Sequence, residues 1–222
     1  MASLRNQLAR SPAHARVVPF VIFVALTFCQ GHFGSEAQFW IYLAKTLIGG
    51  WLIWEMYPLV SEMRWAFSWE GVAVGIGVCV MWVGLDSHYP KLGKSTAPWN
   101  PQAVFGHNTA LAWVFIYGRL LGSSLVVPPM EETFYRSFVY RYLIRADFLK
   151  VPLNEVRWGP LCITASLFGF SHYEWLAGII CGLAYHWLIL KKNRLGDAMT
   201  AHAITNFLLG LWIIWRDEWH FW

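Results

Sequence analysis

Charge is what this chain has least of. Asp, Glu, Lys and Arg make up 14% of its 222 residues, where a soluble domain carries about 25%. The balance is also near neutral, +4 from 17 Lys and Arg against 13 Asp and Glu. The basic residues are scattered among joints, which excludes a nucleic-acid patch and suits topology signals. Cysteine is equally scarce. Cys29, Cys79, Cys162 and Cys181 all lie in apolar runs with no Cys-x-x-Cys spacing. That excludes a disulfide framework and a thiolate metal site, and leaves small buried hydrophobes as the expectation. Internal repeats, linkers and low-complexity tracts are missing too, so 1–222 reads as a single integral-membrane domain. The first apolar run follows Arg5, Arg10 and Arg16 without a small-residue cleavage site, and is expected to remain as a membrane helix.

What is present is apolar surface. Hydrophobic residues reach 57% and aromatics 18%, with 15 tryptophans and a mean hydropathy of +0.41. Tryptophan at this density fits belts at the two membrane interfaces. Apolar runs recur at Val17 to Cys29, Phe39 to Val60, Gly71 to Leu85, Ala110 to Val127, Trp158 to Phe170, Trp175 to Leu190 and Ala198 to Trp215. The pairs Gly71/Gly75 and Gly118/Gly122 have the small-xxx-small spacing of close helix contacts. The fold class is therefore all-α: a polytopic transmembrane bundle of about 7–8 helices, with broken or re-entrant segments expected near Pro128-Pro129 and Phe170–Trp175.

Positive-inside counting puts the N-terminus inside and treats 110–147 as one crossing broken at the prolines. The inside joints then hold Arg5, Arg10, Arg16, Arg64, Arg141, Arg145, Lys150, Arg157, Lys191, Lys192 and Arg194. Lys91, Lys94 and Arg216 are left outside.

The chain is organised around Pro128-Pro-Met-Glu-Glu-Thr-Phe-Tyr-Arg136. Two carboxylates and a guanidinium in an apolar segment are costly unless paired or used. The prolines suit a helix start, and acids just after it are favoured by the helix dipole. Glu132 and Arg136 are i,i+4 and can pair on one face. Glu131 lies about 100° around the helix from Glu132. The arginine is thus expected to neutralise Glu132 and leave Glu131 free, a desolvated carboxylate suited to act as a general base.

Two further patterns interrupt apolar runs. Phe168-Gly-Phe-Ser-His172 ends one, and His202-Ala-Ile-Thr-Asn206 lies in another with its ends on one helical face. A carboxylate, two imidazoles and an amide suffice to activate water and hold an oxyanion. His172 and His202 can meet only if the Phe170–Trp175 break lies within membrane depth and lines a wet cavity. His14, His32, His88, His107 and His220 fall in tails or joints and are expected at the surface, and His186 in packing. Lys45 suits snorkelling, and Arg119 calls for an acidic partner.

Glu-Glu-x-x-x-Arg, Phe-x-x-x-His and His-x-x-x-Asn, in that order, resemble the CAAX protease and bacteriocin-processing family of intramembrane glutamic endopeptidases, which includes the Rce1-type proteases. The resemblance covers about 105–215, the expected catalytic core. It implies Glu131 as general base assisted by His172, His202 and Asn206 as oxyanion donors, Glu132 and Arg136 in support, and no cofactor or metal. The implied partner is a membrane-anchored protein or peptide in the bilayer of a bacterial inner (plasma) membrane. The final third resembles the subgroup associated with exosortase-type sorting systems. Two alternatives stand beside this reading. One is a zinc peptidase using Glu131, His172 and His202 as ligands, although the His-Glu-x-x-His spacing is missing. The other is a non-catalytic immunity-type or scaffold membrane protein.

Overall fold

A computed structural model describes residues 4–30, 32–93 and 98–222; Lys94, assigned to an outer joint above, lies outside them. The described residues form nine helices and no strand. They are α1 (Leu4–Leu8), α2 (Pro12–Gln30), α3 (Ala37–Met56), α4 (Trp69–Leu85), α5 (Pro101–Phe105), α6 (Ala110–Ile144), α7 (Trp158–Phe170), α8 (Trp175–Lys192) and α9 (Gly196–Arg216). Seven of these are long, as the apolar runs predict. By length and apolarity α2, α4 with its short extension to His88, α6 and α9 can each cross a membrane. α3 and α8 have comparable length but carry Lys45, Glu55, His186, Lys191 and Lys192. The protein is an integral membrane helical bundle. Trp54, Trp69, Trp158 and Trp215, all at or near helix ends, remain more than two-thirds exposed, as interfacial anchors do.

Helix boundaries follow local chemistry. Ser68 caps α4 by accepting from Gly71 N–H at 3.1 Å, and Thr109 caps α6 by accepting from Ala112 N–H at 3.2 Å. Such caps satisfy donors that the first helical turn leaves free. Asn193 closes α8 in the left-handed conformation, φ 51°.

α6 differs from the expectation at its prolines. Pro128 and Pro129 neither start a helix nor break one. They lie in the middle of a continuous 35-residue helix, about 50 Å long at 1.5 Å per residue. Its path is kept by two wider, π-helical stretches, Gly122–Val126 and Thr133–Tyr140. A proline in a regular α-helix orphans the carbonyl four residues back and clashes with it. Widening the preceding turn, with Val127 N–H reaching Gly122 O, relieves that clash. The second expected break is present: α7 stops at Phe170, and residues 171–174 are non-helical before α8 begins.

α6 touches α2, α3, α7 and α9, so its polar stretch sits inside the bundle. Cys79 and Cys181 are buried, whereas Cys29 and Cys162 are exposed and all four are free. The latter two occupy uncovered faces of apolar helices, where a small hydrophobe suits lipid as well as a core. His14, His32, His88, His107 and His220 are exposed, as expected. His186 is buried with its ring 4.1 Å from that of Tyr140.

Both small-residue pairs meet other helices: Gly71 and Gly75 face α9, while Gly118 and Gly122 face α3. Gly75 matters most for the site. A Cβ there would lie 2.7 Å from Ala201 O and 2.9 Å from the Ile204 side chain, both on α9. Gly75→Ala is expected to push α4 from α9 at a cost of about 1–3 kcal/mol, read as a lower melting temperature in detergent. Gly77→Ala, whose added carbon meets open space, is the control. Equal melting of the two variants would contradict the close packing.

Candidate active site

The two adjacent glutamates of α6 enter different surroundings, because one residue is about 100° of helical turn. Glu132 is sealed, with no exposed side-chain surface. Its Oε2 lies 3.3 Å from Arg136 Nε, the i,i+4 pair that the spacing predicts. Its Oε1 accepts from His202 Nδ1 at 2.9 Å. Glu131 keeps 16% of its side chain accessible and lines a cavity of about 650 Å³. Glu131 Oε2 has no hydrogen-bond partner; the imidazole of His202 approaches it, Nε2 at 3.9 Å. A buried carboxylate oxygen left without a donor demands explanation, since its desolvation is uncompensated.

His202 therefore stands between two carboxylates, and its orientation is over-determined. Its ring stacks on Tyr185 with centroids 5.1 Å apart. The Tyr185 hydroxyl donates to Thr205 Oγ1 at 2.7 Å, and the Thr205 hydroxyl reaches Gly75 O at 2.9 Å. The close approach of α4 to α9 thus supports the histidine from behind.

His172 sits in the break after α7. Its Nδ1 lies 2.7 Å from Phe168 O. A carbonyl only accepts, so in the neutral ring the proton is on Nδ1 and Nε2 keeps its lone pair. The ring packs against Trp82 and Phe168, with centroids 5.6 and 4.8 Å away. No contact joins His172 to Glu131 among the described residues. Both line the cavity, but the imidazole beside Glu131 is that of His202. The resemblance implies His172 assisting Glu131 through a water, and both residues face the cavity. The short α7–α8 link turns His172 Nδ1 back onto its own helix end.

Asn206 lines the same cavity, one turn beyond His202. Its Nδ2 donates to Ser123 O at 2.8 Å. That carbonyl is free for a definite reason. In the widened turn Val127 N–H serves Gly122, and the next residue, Pro128, has no N–H to offer Ser123. The π-helical stretch was not legible in the sequence, and neither was this bond. π-Bulges do cluster at functional sites.

Glu131, His172, His202 and Asn206 thus come from α6, the α7–α8 link and α9 to line one cavity, with Glu132 and Arg136 behind it. Phe168 is a further organiser. Its carbonyl holds His172, and its ring lies 4.2 Å beneath the Arg136 guanidinium. Among the described residues no three His, Cys, Asp or Glu side chains are grouped to hold a metal ion. A carboxylate without a donor, two imidazoles and an amide around one enclosed volume can deprotonate water and donate to an oxyanion.

Residues 110–208 match the family of type II CAAX prenyl endopeptidase Rce1-like proteins, and Glu131, Glu132, Arg136, Phe168, His172, His202 and Asn206 all lie within the matched segment. No curated protein and no solved structure matches the chain.

Proposed function

We propose that the chain, whose residues 110–208 match the Rce1-like endopeptidase family, is a glutamate-dependent membrane protease. It hydrolyses a peptide bond of a membrane-anchored protein or peptide at the cavity between α6, α7 and α9. The observation that carries this reading is the buried Glu131 Oε2 without a hydrogen-bond partner, next to His202 and facing the cavity. A carboxylate held this way lacks the hydrogen bonds that favour its charged form, and is suited to accept a proton.

Each residue has a task. Glu131 takes a proton from water, and the oxygen attacks the scissile carbonyl. His172 accepts the second water hydrogen bond at Nε2 and orients the attack. His202, its Nδ1 held by Glu132, donates from Nε2 to the developing oxyanion. Asn206 donates its remaining N–H to the same oxygen. When the tetrahedral intermediate collapses, the C–N bond breaks and the proton on Glu131 passes to the leaving amine. Arg136 neutralises Glu132 so that two adjacent carboxylates can share an apolar segment. The proposed setting is a bacterial inner membrane, and the resemblance of the final third to exosortase-associated proteins suggests a sorting system as the source of substrate.

The test is cleavage of membrane-anchored peptides by the purified protein in proteoliposomes, read by mass spectrometry with and without EDTA. The rate with EDTA is expected to stay within twofold. His202→Gln is expected to lower kcat by about 10²–10³ with little change in KM. Loss of all activity in EDTA, or unchanged kcat in the variant, would overturn the mechanism.

A further inference from the structure

The catalytic reading uses Glu131, His172, His202 and Asn206, but the same cavity is also lined by two cations, Lys45 and Arg119. Neither behaves as its sequence context suggests. Lys45 does not snorkel outward; it is 5% exposed, with Nζ 3.1 Å from Thr27 Oγ1 and 3.4 Å from Gln30 Oε1. Arg119 has no acidic partner. Its guanidinium rests over aromatic rings, 4.9 Å from the centroid of Tyr42 and 4.5 Å from that of Trp99. Among the described residues its side chain makes neither a hydrogen bond nor an ion pair.

The two cationic heads share the Tyr42 ring, since Lys45 Nζ lies 4.4 Å from the same centroid. They are close enough to repel one another. Like charges held together in an apolar cavity are costly, and intramembrane charges without a partner mark ligand paths. The acids nearby offset them only in part. Glu132 is taken by Arg136 and His202, and Glu131, which attracts Lys45 through the cavity, is itself approached by His202. Glu174, also on the cavity wall, interacts with Asp86, Lys91 and His220 instead. A guanidinium lying over aromatic rings without a hydrogen bond of its own has N–H groups left for a planar anion, and carboxylate matches two of them with parallel hydrogen bonds.

We propose that Lys45 and Arg119 form a carboxylate-binding subsite of the cavity, which selects peptide substrates carrying an acidic group to one side of the scissile bond. This rests on the peptidase reading for its meaning, but the subsite can be tested by binding alone.

The experiment uses the full chain in phosphatidylcholine nanodiscs and three N-acetylated apolar tetrapeptides. One ends in a free carboxylate, one is its carboxamide, and one is a carboxamide with an aspartate side chain. Binding is titrated by tryptophan fluorescence, because Trp99 and Trp222 pack against Arg119, and cleavage is followed separately. At least one carboxylate peptide is expected to bind ten- to hundredfold more tightly than the neutral amide. Which one does so distinguishes a chain terminus from a side chain as the recognised group. Arg119→Gln and Lys45→Gln are each expected to reduce that ratio about tenfold, whatever they do to the absolute affinity. Melting curves of each variant report whether it is folded. Equal binding of all three peptides, or a ratio unchanged in both variants, overturns the proposal. So does a preference that vanishes in phosphatidylglycerol nanodiscs, which would assign the cations to lipid phosphate. Carboxylate preference without cleavage would count against the peptidase reading and leave the subsite standing; cleavage without the preference would do the reverse.

Discussion

Glu131→Gln is expected to lower peptide cleavage in proteoliposomes by about 10³-fold or more while leaving the melting temperature within a few degrees of wild type. Removal of a positioned general base costs about 10²–10⁴ in rate, and here no neighbour can substitute. Glu132 is committed at both oxygens, to Arg136 and to His202. Stability is expected to hold because Glu131 Oε2 has no hydrogen-bond partner among the described residues for the amide to lose. The contrast with its neighbour sharpens the test. Glu132→Gln leaves Arg136 buried, 1% exposed, without its counter-ion, and so damages folding as well as rate. Equal losses of activity and stability in both variants would mean that the two carboxylates do not divide their work as described.

The second large effect lies away from the cavity. Glu62, in the joint after α3, accepts from Arg16 Nη2 and Arg141 Nη2, each at 2.7 Å. Ser137 joins the cluster through hydrogen bonds to Glu62 and both arginines. One carboxylate thereby ties α2 to the basic end of α6. Burial pushes the Glu62 carboxyl upward, but the Arg16 charge and the Ser137 and Arg16 hydrogen bonds outweigh it and hold the group at about 2. A carboxyl depressed in the folded state stabilises the fold above its unfolded value of 4.5. That contribution declines as pH falls from there and is gone below about 2. Glu62→Gln leaves two arginines, 2% and 5% exposed, facing each other, and is expected to cost roughly 3–5 kcal/mol. Melting curves in detergent should show the wild type losing stability between pH 4.5 and 2, with the variant low and flatter across that window. Parallel curves would remove Glu62 from this role.

What the sequence made legible was local. The division between Glu131 and Glu132 follows from one residue's helical rotation relative to Arg136, which sequence spacing contains. The long apolar runs, the Phe170–Trp175 break and the two glycine pairs are equally short-range features. The contacts that complete the site are not. Glu132 meets His202 across 70 residues of chain, and Arg16 meets Ser137 across 121. Such pairs depend on which face each helix presents, and apolar helices advertise their faces poorly when lipid and core favour the same side chains. The inward position of Lys45 is not legible for that reason, because outward and inward positions look alike in an apolar run. Glu62 left a faint signal, as the lone acid in its joint, two residues before Arg64. The prolines misled because a helix start and a widened turn both tolerate a missing N–H.

That missing hydrogen reaches further than its own helix. An asparagine amide has two dissimilar ends, and only the nitrogen end can calm a negative oxygen. Ser123 O is vacant because an imino acid follows where an ordinary residue would fill it, and Asn206 docks its nitrogen there. Polarity in the cavity is thus chosen by a ring that is not part of its lining.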